Sequence, residues 1–428
     1  MVQLLLLLLG GNLIRRRWWV IGCAGFVWMV IGALFFADAF IEEIRIPVAY
    51  FAAPLIIDGV ISLATIFLSR RSRMLRAVKG GVFLAVATLL IVVPHHSAFA
   101  VAMLVGTFLS LDGFWRAGSA VVVRFPGWPP SFAKGVFELL MGLWSLSPWP
   151  SNYRAEVGSD VGLLLMVSAA GLLGLAMRLR YMPADTTLSS ILSTGWPQMP
   201  TTAELMEGPE EAMEPSHARR ETAMVHVWTP TGAIPRLHHG IERYIAATDA
   251  EGHISTGHSA LELPPGLYIS HYPAQEIEQS ATDFARLLRA TPDNDVAGVF
   301  QPNYAEESAD WCPSSYQVPI HGIDAAALRA FWGEYRRDTT YNLTNRNCSS
   351  AVVKALDAGL EGVFAPVVST GFVMGLILSP EFWAAGMLRH RATTMAWTPG
   401  LVLDYVRALS SVLERLPKPA ATKVPGQG

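Results

Sequence analysis

Long apolar runs separated by short polar connections occupy the first 181 residues of the chain. A helix needs roughly 20 residues to cross a bilayer, and although several runs are shorter, their repetition along the chain favours membrane spans. Together they predict an all-α transmembrane bundle of six helices, at residues 18–36, 47–68, 80–93, 97–111, 132–146 and 161–177. The rest of the chain is more polar and has a different periodicity.

Short motifs recur in this apolar half at a spacing of roughly 55 residues, as expected of repeated structural units. Asp58-Gly59 and Asp112-Gly113 form one such pair of motifs. We therefore predict three consecutive helical hairpins. Asp58 and Asp112 lie near predicted span ends, where two interpretations stay open. They are either a site for protons or lipid headgroups, because carboxylates in membranes are often functional, or caps next to glycine.

Basic residues predict the orientation of the bundle. Arginines at 15–17 precede the first span and five Lys or Arg residues fill the connection at 70–79, whereas Asp38, Glu42 and Glu43 fall in the first connection. The positive-inside rule then predicts a multi-pass protein of the bacterial inner membrane with both ends in the cytoplasm. The leucine run within residues 1–10 is predicted to be an amphipathic or frayed lead-in and not a signal peptide.

Composition agrees with a membrane protein and excludes some functions. Of 428 residues, 51% are hydrophobic and 16% are charged, and the mean hydropathy is +0.34. A net charge of −3 gives no electrostatic reason to expect nucleic-acid binding. Three cysteines are too few for a disulfide framework.

Four short motifs, Trp18-Trp19, Tyr50-Phe51, Asp58-Gly59 and Leu111-Asp112-Gly113, give the apolar half a family resemblance. With them, residues 1–181 resemble the HdeD-like family of small bacterial membrane proteins. The resemblance implies an inner-membrane bundle of six helices.

The pattern changes after residue 181. Residues 182–222 are rich in Pro, Ser, Thr and Glu without a sustained apolar period, which predicts a flexible acidic linker. Strand-like and helix-like stretches alternate in residues 223–362 and predict an α+β domain. Residues 363–428 are predicted to form a helical extension, packed in the core or touching the bilayer, and a disordered tail.

One cysteine stands where a nucleophile is expected. Cys348 follows a polar turn and begins an apolar-periodic, helix-like run. Helix amides at such a position stabilise a thiolate, and the preceding loop is expected to leave the sulfur reachable. His258, at the start of a strand-like segment, is the candidate base. The two residues predict a cysteine–histidine hydrolase.

The order of these residues, with histidine on a strand before cysteine at a helix, resembles the circularly permuted papain-like enzymes. That group includes relatives of lecithin–retinol acyltransferase and PPPDE-type peptidases, and the resemblance covers about residues 225–360 through Gly257-His258, His271 and Asn347-Cys348. It implies that Cys348 is the nucleophile and His258 the base. Two departures are Ser349-Ser350 after the cysteine and an extra loop at about 293–316.

The remaining roles are also expectations. His271 is favoured over Glu262 as the residue that orients the imidazole. The Cys348 amide, with Asn347 and Tyr341, is expected to hold the oxyanion or position the substrate.

The sequence thus predicts a membrane-anchored thiol hydrolase or acyltransferase that cleaves an amide or ester bond through a Cys348 thioester. Both a lipid substrate and a peptide substrate stay open, as does the oligomeric state, and no cofactor or metal is expected. The alternative is a non-enzymatic membrane sensor whose papain-like domain is a degenerate binding module.

Overall fold

A computed structural model describes residues 1–40, 52–65, 73–92, 94–147, 154–183, 186–194, 220–229, 247–248, 254–255, 257–275, 284–393 and 395–416. The N-terminal part is helical. Its helices are α1 (Val2–Leu9), α2 (Gly11–Arg16), α3 (Trp18–Phe40), α4 (Ala52–Ala64), α5 (Arg73–Val92), α6 (Pro94–Val123), α7 (Trp128–Ser145), α8 (Arg154–Arg180) and α9 (Leu188–Thr194).

Two of these helices, over Trp18–Asp38 and Val161–Arg180, are long and apolar enough to cross a membrane. Large apolar side chains such as Phe26, Phe108 and Leu140 are exposed on the helices of this part. Such a surface suits a lipid solvent better than water. The predicted helical class is thus confirmed, and the two apolar helices are compatible with membrane association. The number of spans and their orientation stay predictions.

The helices pair differently from the three predicted hairpins. α4 packs on α5 and α6 packs on α7, whereas α3 packs on the distant α8. Glycines at the crossings explain these pairs, because they let two backbones approach closely. A Cβ on Gly113 would lie 2.6 Å from the carbonyl oxygen of Gly135, and one on Gly135 would lie 3.0 Å from that of Gly113. In the structure, each helix that carries an Asp-Gly motif pairs with the helix that follows it in the chain. The predicted hairpins instead pair it with the helix that precedes it.

Asp58 and Asp112 are both paired with cations. Asp58 Oδ1 accepts from Lys79 Nζ at 2.9 Å. Asp112 lies 3.0 Å from Arg116 Nη2 and 2.9 Å from Arg391 Nη2. The two carboxylates therefore link helices to one another, which is a structural role.

The C-terminal part is α+β, as the sequence predicts. Its helices are α10 (Phe284–Leu287), α11 (Tyr304–Asp310), α12 (Ala325–Tyr335), α13 (Cys348–Leu360), α14 (Thr370–Ile377), α15 (Pro380–Thr393) and α16 (Pro399–Leu413). The strands are β1 (Arg220–Trp228), β2 (Ala247–Thr248), β3 (Ile254–Ser255), β4 (His258–Leu263), β5 (Leu267–Ile269), β6 (His271–Pro273), β7 (Val296–Phe300), β8 (Tyr316–Asp324) and β9 (Thr340–Tyr341).

Antiparallel pairing organises these strands into small sheets. The largest has the order β5-β4-β1-β8, a second has the order β6-β7-β9, and β2 pairs with β3. α13 and α16 both pack on the largest sheet. One face of β4 and β1, with Val225, Val227 and Leu261, therefore enters the main core.

The leucine run at the start of the chain is part of this core. Leu4, Leu7 and Leu8 of α1 are almost fully buried among residues of the C-terminal part. Leu7 O accepts from Gly362 N and Leu8 O accepts from Phe364 N, both at 2.9 Å. The predicted frayed lead-in is therefore wrong, because its leucines fill the C-terminal core.

Candidate active site

Asn347 fixes the start of the helix that carries Cys348. Its Oδ1 accepts from Ser350 N at 2.7 Å, and Ser350 Oγ accepts from Asn347 N at 2.8 Å, which forms a capping box. Its Nδ2 donates to Leu343 O at 2.7 Å and to Trp397 O at 2.9 Å. Both amide hydrogens are thus occupied, so the side chain holds the helix start and offers no donor to an oxyanion.

Cys348 is the first residue of α13, as predicted, but its thiol is buried. The residue is 7% exposed, and Sγ lies 3.7 Å from Ser349 Oγ. Burial raises the pKa of this thiol, while hydrogen bonds from Ser349 and Ser259 act in the opposite direction. The expected exposed thiolate is therefore replaced by a protected, protonated thiol in the resting structure.

His258 is the first residue of β4 and is buried. Its Nε2 lies 2.9 Å from Ser270 Oγ and 3.2 Å from Glu307 Oε1. The imidazole stacks on the Tyr272 ring with 3.9 Å between centroids. Burial and the nearby His271 lower the pKa of His258 to about 3. The imidazole is therefore neutral at pH 7, which is the form that accepts a proton.

Glu307 is the residue that sequence reasoning missed. It lies on α11, inside the segment taken for an extra loop, and it is buried. Its carboxylate accepts from Tyr268 OH at 2.7 Å and from Tyr272 OH at 2.8 Å. Two tyrosines and the short helix thus hold a carboxylate against His258. Its neighbour Glu306 is exposed, and no local pattern distinguishes the two acids.

Neither residue proposed to orient His258 is placed at its Nε2. His271 Nδ1 lies 3.1 Å from Tyr335 OH, and Glu262 Oε2 lies 3.1 Å from His226 Nε2. Burial and the Arg346 guanidinium lower the pKa of His271 to about 4. His271 therefore belongs to a neighbouring aromatic cluster, and Glu262 contacts His226 instead of His258.

Tyr341 packs against His271 and lies near Cys348. It is buried on β9, and its ring meets the His271 ring edge-on at 5.1 Å. Burial raises the pKa of Tyr341, and the nearby Cys348 adds to this effect. A neutral tyrosine at this place can shape the pocket or donate a hydrogen bond.

β4 places Cys348 and His258 in the same region, but their side chains are not hydrogen-bonded to each other. Ser259 Oγ lies 3.1 Å from Ser349 Oγ, so β4 touches the start of α13 directly after His258. Because strand side chains alternate, Ser259 faces α13 and His258 begins the opposite face. The thiol and the imidazole, both described by the structure, share no hydrogen bond. Catalytic hydrogen bonds often tighten only when substrate binds.

The described residues contain no group of three or more His, Cys, Asp or Glu side chains placed to hold a metal ion.

Comparison with known proteins gives one partial match. The sequence profile of a family described as the IcsB middle domain matches residues 268–425. This segment runs from β5 to α16 and includes Cys348, His271 and Glu307, but it begins after His258. No curated protein matches the chain. No solved structure matches it.

Proposed function

We propose that this chain is a membrane-anchored cysteine hydrolase or acyltransferase. Cys348 is the nucleophile, His258 the base, and Glu307 the carboxylate that orients the imidazole. The observation that carries the proposal is a thiol at a capped helix start, packed on the strand that begins with a buried histidine–carboxylate pair. The order of histidine before cysteine supports a permuted papain-like arrangement.

Once substrate binding has brought Sγ and the imidazole together, the reaction begins with the transfer of the Cys348 proton to His258. Sγ then attacks the carbonyl carbon of an amide or ester, and the backbone amides at the start of α13 hold the oxyanion. The leaving amine or alcohol takes the proton from His258, which leaves a thioester on Cys348. Water or an acceptor next gives its proton to His258 and attacks the thioester, and the departing sulfur takes that proton back.

Charge explains why burial does not block this chemistry. The resting pair is neutral, so the buried site carries no isolated thiolate, which would be costly. Glu307, 3.2 Å from His258 Nε2, becomes the counter-charge when the imidazole is protonated. The imidazolium is thus stabilised only during the reaction, as efficient catalysis requires.

Membrane association favours a substrate that is itself in the membrane. Anchoring raises the effective concentration of the enzyme towards such molecules. A lipid ester or an acyl group on a membrane protein is therefore the first candidate substrate, and a peptide bond is the second. In this proposal the bundle lies in the bacterial inner membrane and the C-terminal part faces the cytoplasm.

The test is to trap the thioester on the full chain. The protein is reconstituted in phosphatidylethanolamine–phosphatidylglycerol vesicles, and the reaction is stopped with acid. After digestion, mass spectrometry measures the mass of the peptide that contains Cys348. We expect an acyl adduct that hydroxylamine removes, absent in Cys348→Ser and retained in Cys312→Ser, which changes an exposed cysteine. An unmodified Cys348 peptide, together with no cleavage of a peptide library, would defeat the proposal.

The burial of the Cys348 thiol away from His258 favours a second candidate, a non-enzymatic binding module on a membrane sensor. Its raised pKa and lack of a hydrogen bond to His258 are what an inactive relative would have. Under that function, Cys348→Ser leaves every activity of the protein unchanged, which separates the two candidates.

A further inference from the structure

We propose that the bent helix pair α14–α15 lies in the membrane, so that the C-terminal part contacts lipid directly. The two helices meet at 66°, and together they are long and apolar enough for a broken span or a re-entrant segment. The partner is the lipid bilayer. This inference does not depend on the chemistry of Cys348.

The polarity of α15 is inverted relative to a helix on a water-soluble surface. Two of its charged residues, Glu381 and Arg389, are buried, whereas Trp383 and Met387 are 37% and 57% exposed. A third, Arg391 in the last turn, has a side chain that is 41% exposed and pairs with Asp112 of α6. Helices in water normally turn charges outward and apolar side chains inward. Membrane proteins keep their charges paired inside and present apolar side chains to lipid.

Both inward charges are paired with a charge of opposite sign, although Arg389 Nε is buried without a hydrogen-bond partner among the described residues. Arg389 binds Asp357 of α13 through two contacts, at 2.5 and 2.6 Å. Glu381 Oε1 accepts from Arg76 Nε at 3.1 Å and from Arg76 Nη2 at 2.8 Å. A buried ion pair of this kind requires strong hydrogen bonds, because its desolvation cost is high. These ion pairs fix the orientation of α15, with Glu381 and Arg389 inside and the apolar side chains outside.

The helical bundle packs against α14–α15 through two basic residues of α5. Arg76 and Lys79 belong to α5, and Lys79 Nζ donates to Leu378 O at the bend between α14 and α15 at 3.1 Å. The same ammonium lies 5.6 Å from the centre of the Trp383 ring. Lysine beside tryptophan is typical of the membrane interface, where the ring meets the headgroups. α5 itself exposes Val78 and Val82 on its surface.

α14 extends this surface on the other side of the bend. Met374 is 51% exposed, whereas Phe372 packs inward on Phe364, with 5.0 Å between ring centroids. The exposed apolar residues of the two helices, Met374, Trp383 and Met387, are what we call the elbow surface. An amphipathic element of this kind lies about 5–10 Å deep in the boundary between headgroups and acyl chains.

The test measures lipid contact at single sites in the full chain. In a Cys23→Ser/Cys312→Ser background, Met374→Cys or Met387→Cys is labelled with bimane and reconstituted in phosphatidylcholine–phosphatidylglycerol nanodiscs containing a doxyl lipid. Val27→Cys on the candidate span α3 is the lipid-exposed reference. Val299→Cys on β7, 44% exposed, is the matched control outside the elbow surface.

We expect the doxyl lipid to lower bimane emission at 374 and 387 about twofold, close to the loss at 27 and well beyond the loss at 299. The proposal would be overturned if the doxyl lipid quenched bimane at 374 and 387 no more than it does at 299. A second measurement needs no cysteine. Brominated lipid should quench less of the tryptophan emission in Trp383→Phe than in the unsubstituted protein, and equal quenching would also overturn it.

Discussion

Asp357 and Arg389 form a two-contact ion pair between the helix that carries Cys348 and the helix that we place at the membrane. The oxygen–nitrogen distances are 2.5 and 2.6 Å, and both side chains are buried. Asp357 lies on α13 nine residues after Cys348, and Arg389 lies on α15. The position of the candidate nucleophile is therefore tied to the elbow surface through one buried pair.

Breaking this pair should destabilise the C-terminal part strongly. Arg389→Leu leaves the Asp357 carboxylate buried without its partner, which costs about 3–5 kcal/mol in the free energy of unfolding. Asp357→Leu/Arg389→Leu removes both charges and should recover most of that loss. Urea unfolding followed by tryptophan emission measures both. A double variant as unstable as Arg389→Leu would mean that the pair acts through shape and not through charge.

Replacing the buried carboxylate beside His258 should slow catalysis with little effect on substrate binding. Glu307→Gln keeps the shape but removes the charge that stabilises the imidazolium, and we expect kcat to fall roughly 10²-fold with KM unchanged. Glu306→Gln, one residue away on the exposed side of α11, is the matched control. A rise in KM alone would assign Glu307 to substrate binding.

Two buried neutral histidines should make the C-terminal part sensitive to acid. The pKa of His258 is lowered from 6.5 to about 3 and that of His271 from 6.5 to about 4. Because protonation favours the unfolded chain, their contribution is fully present above pH 6.5 and is lost as the pH falls towards 3–4. Each group contributes a slope of up to about 1.4 kcal/mol per pH unit in that window.

The check is the urea midpoint at pH 7.5, 6 and 5 in His271→Asn and in the unsubstituted protein. The variant should lose stability less steeply on acidification. His321→Asn, which changes an exposed histidine, should retain the full slope. Parallel curves for all three proteins would contradict the prediction.

The crossing of α6 and α7 should tolerate no added methyl group. Gly113→Ala would put Cβ 2.6 Å from Gly135 O, and we expect it to cost about 1–3 kcal/mol through overpacking. Gly118, on the same helix, has no atom within 4 Å of an added Cβ. Gly118→Ala should therefore be neutral or stabilising, as alanine usually is in a helix. Thermal unfolding in detergent separates the two variants, and equal melting temperatures would argue against the crossing.

Local features of this molecule could be predicted from sequence. The strand β4, the helices α12 and α13 and the start of α13 at Cys348 follow from periodicity and from the capping residue before it. These signals arise between residues close in the chain, so the pattern contains them. The apolar character of α3 and α8 is equally local.

Features made by distant residues could not be predicted. The carboxylate beside His258 comes from Glu307, 49 positions later, and nothing in its neighbourhood distinguishes it from Glu306. The pairing of α3 with α8 likewise depends on close approach between helices far apart in the chain. The burial of the Cys348 thiol depends on how Ser259 packs against Ser349, which helix periodicity does not specify.

The insertion of α1 into the C-terminal core has a consequence for biosynthesis. Leu4, Leu7 and Leu8 are translated more than 350 residues before Phe364 and Phe382, which lie in the same core. Contacts of such large sequence separation form late and slow the search for the native state. Until Phe364 and Phe382 have been made, these leucines lack the apolar partners that bury them in the folded protein.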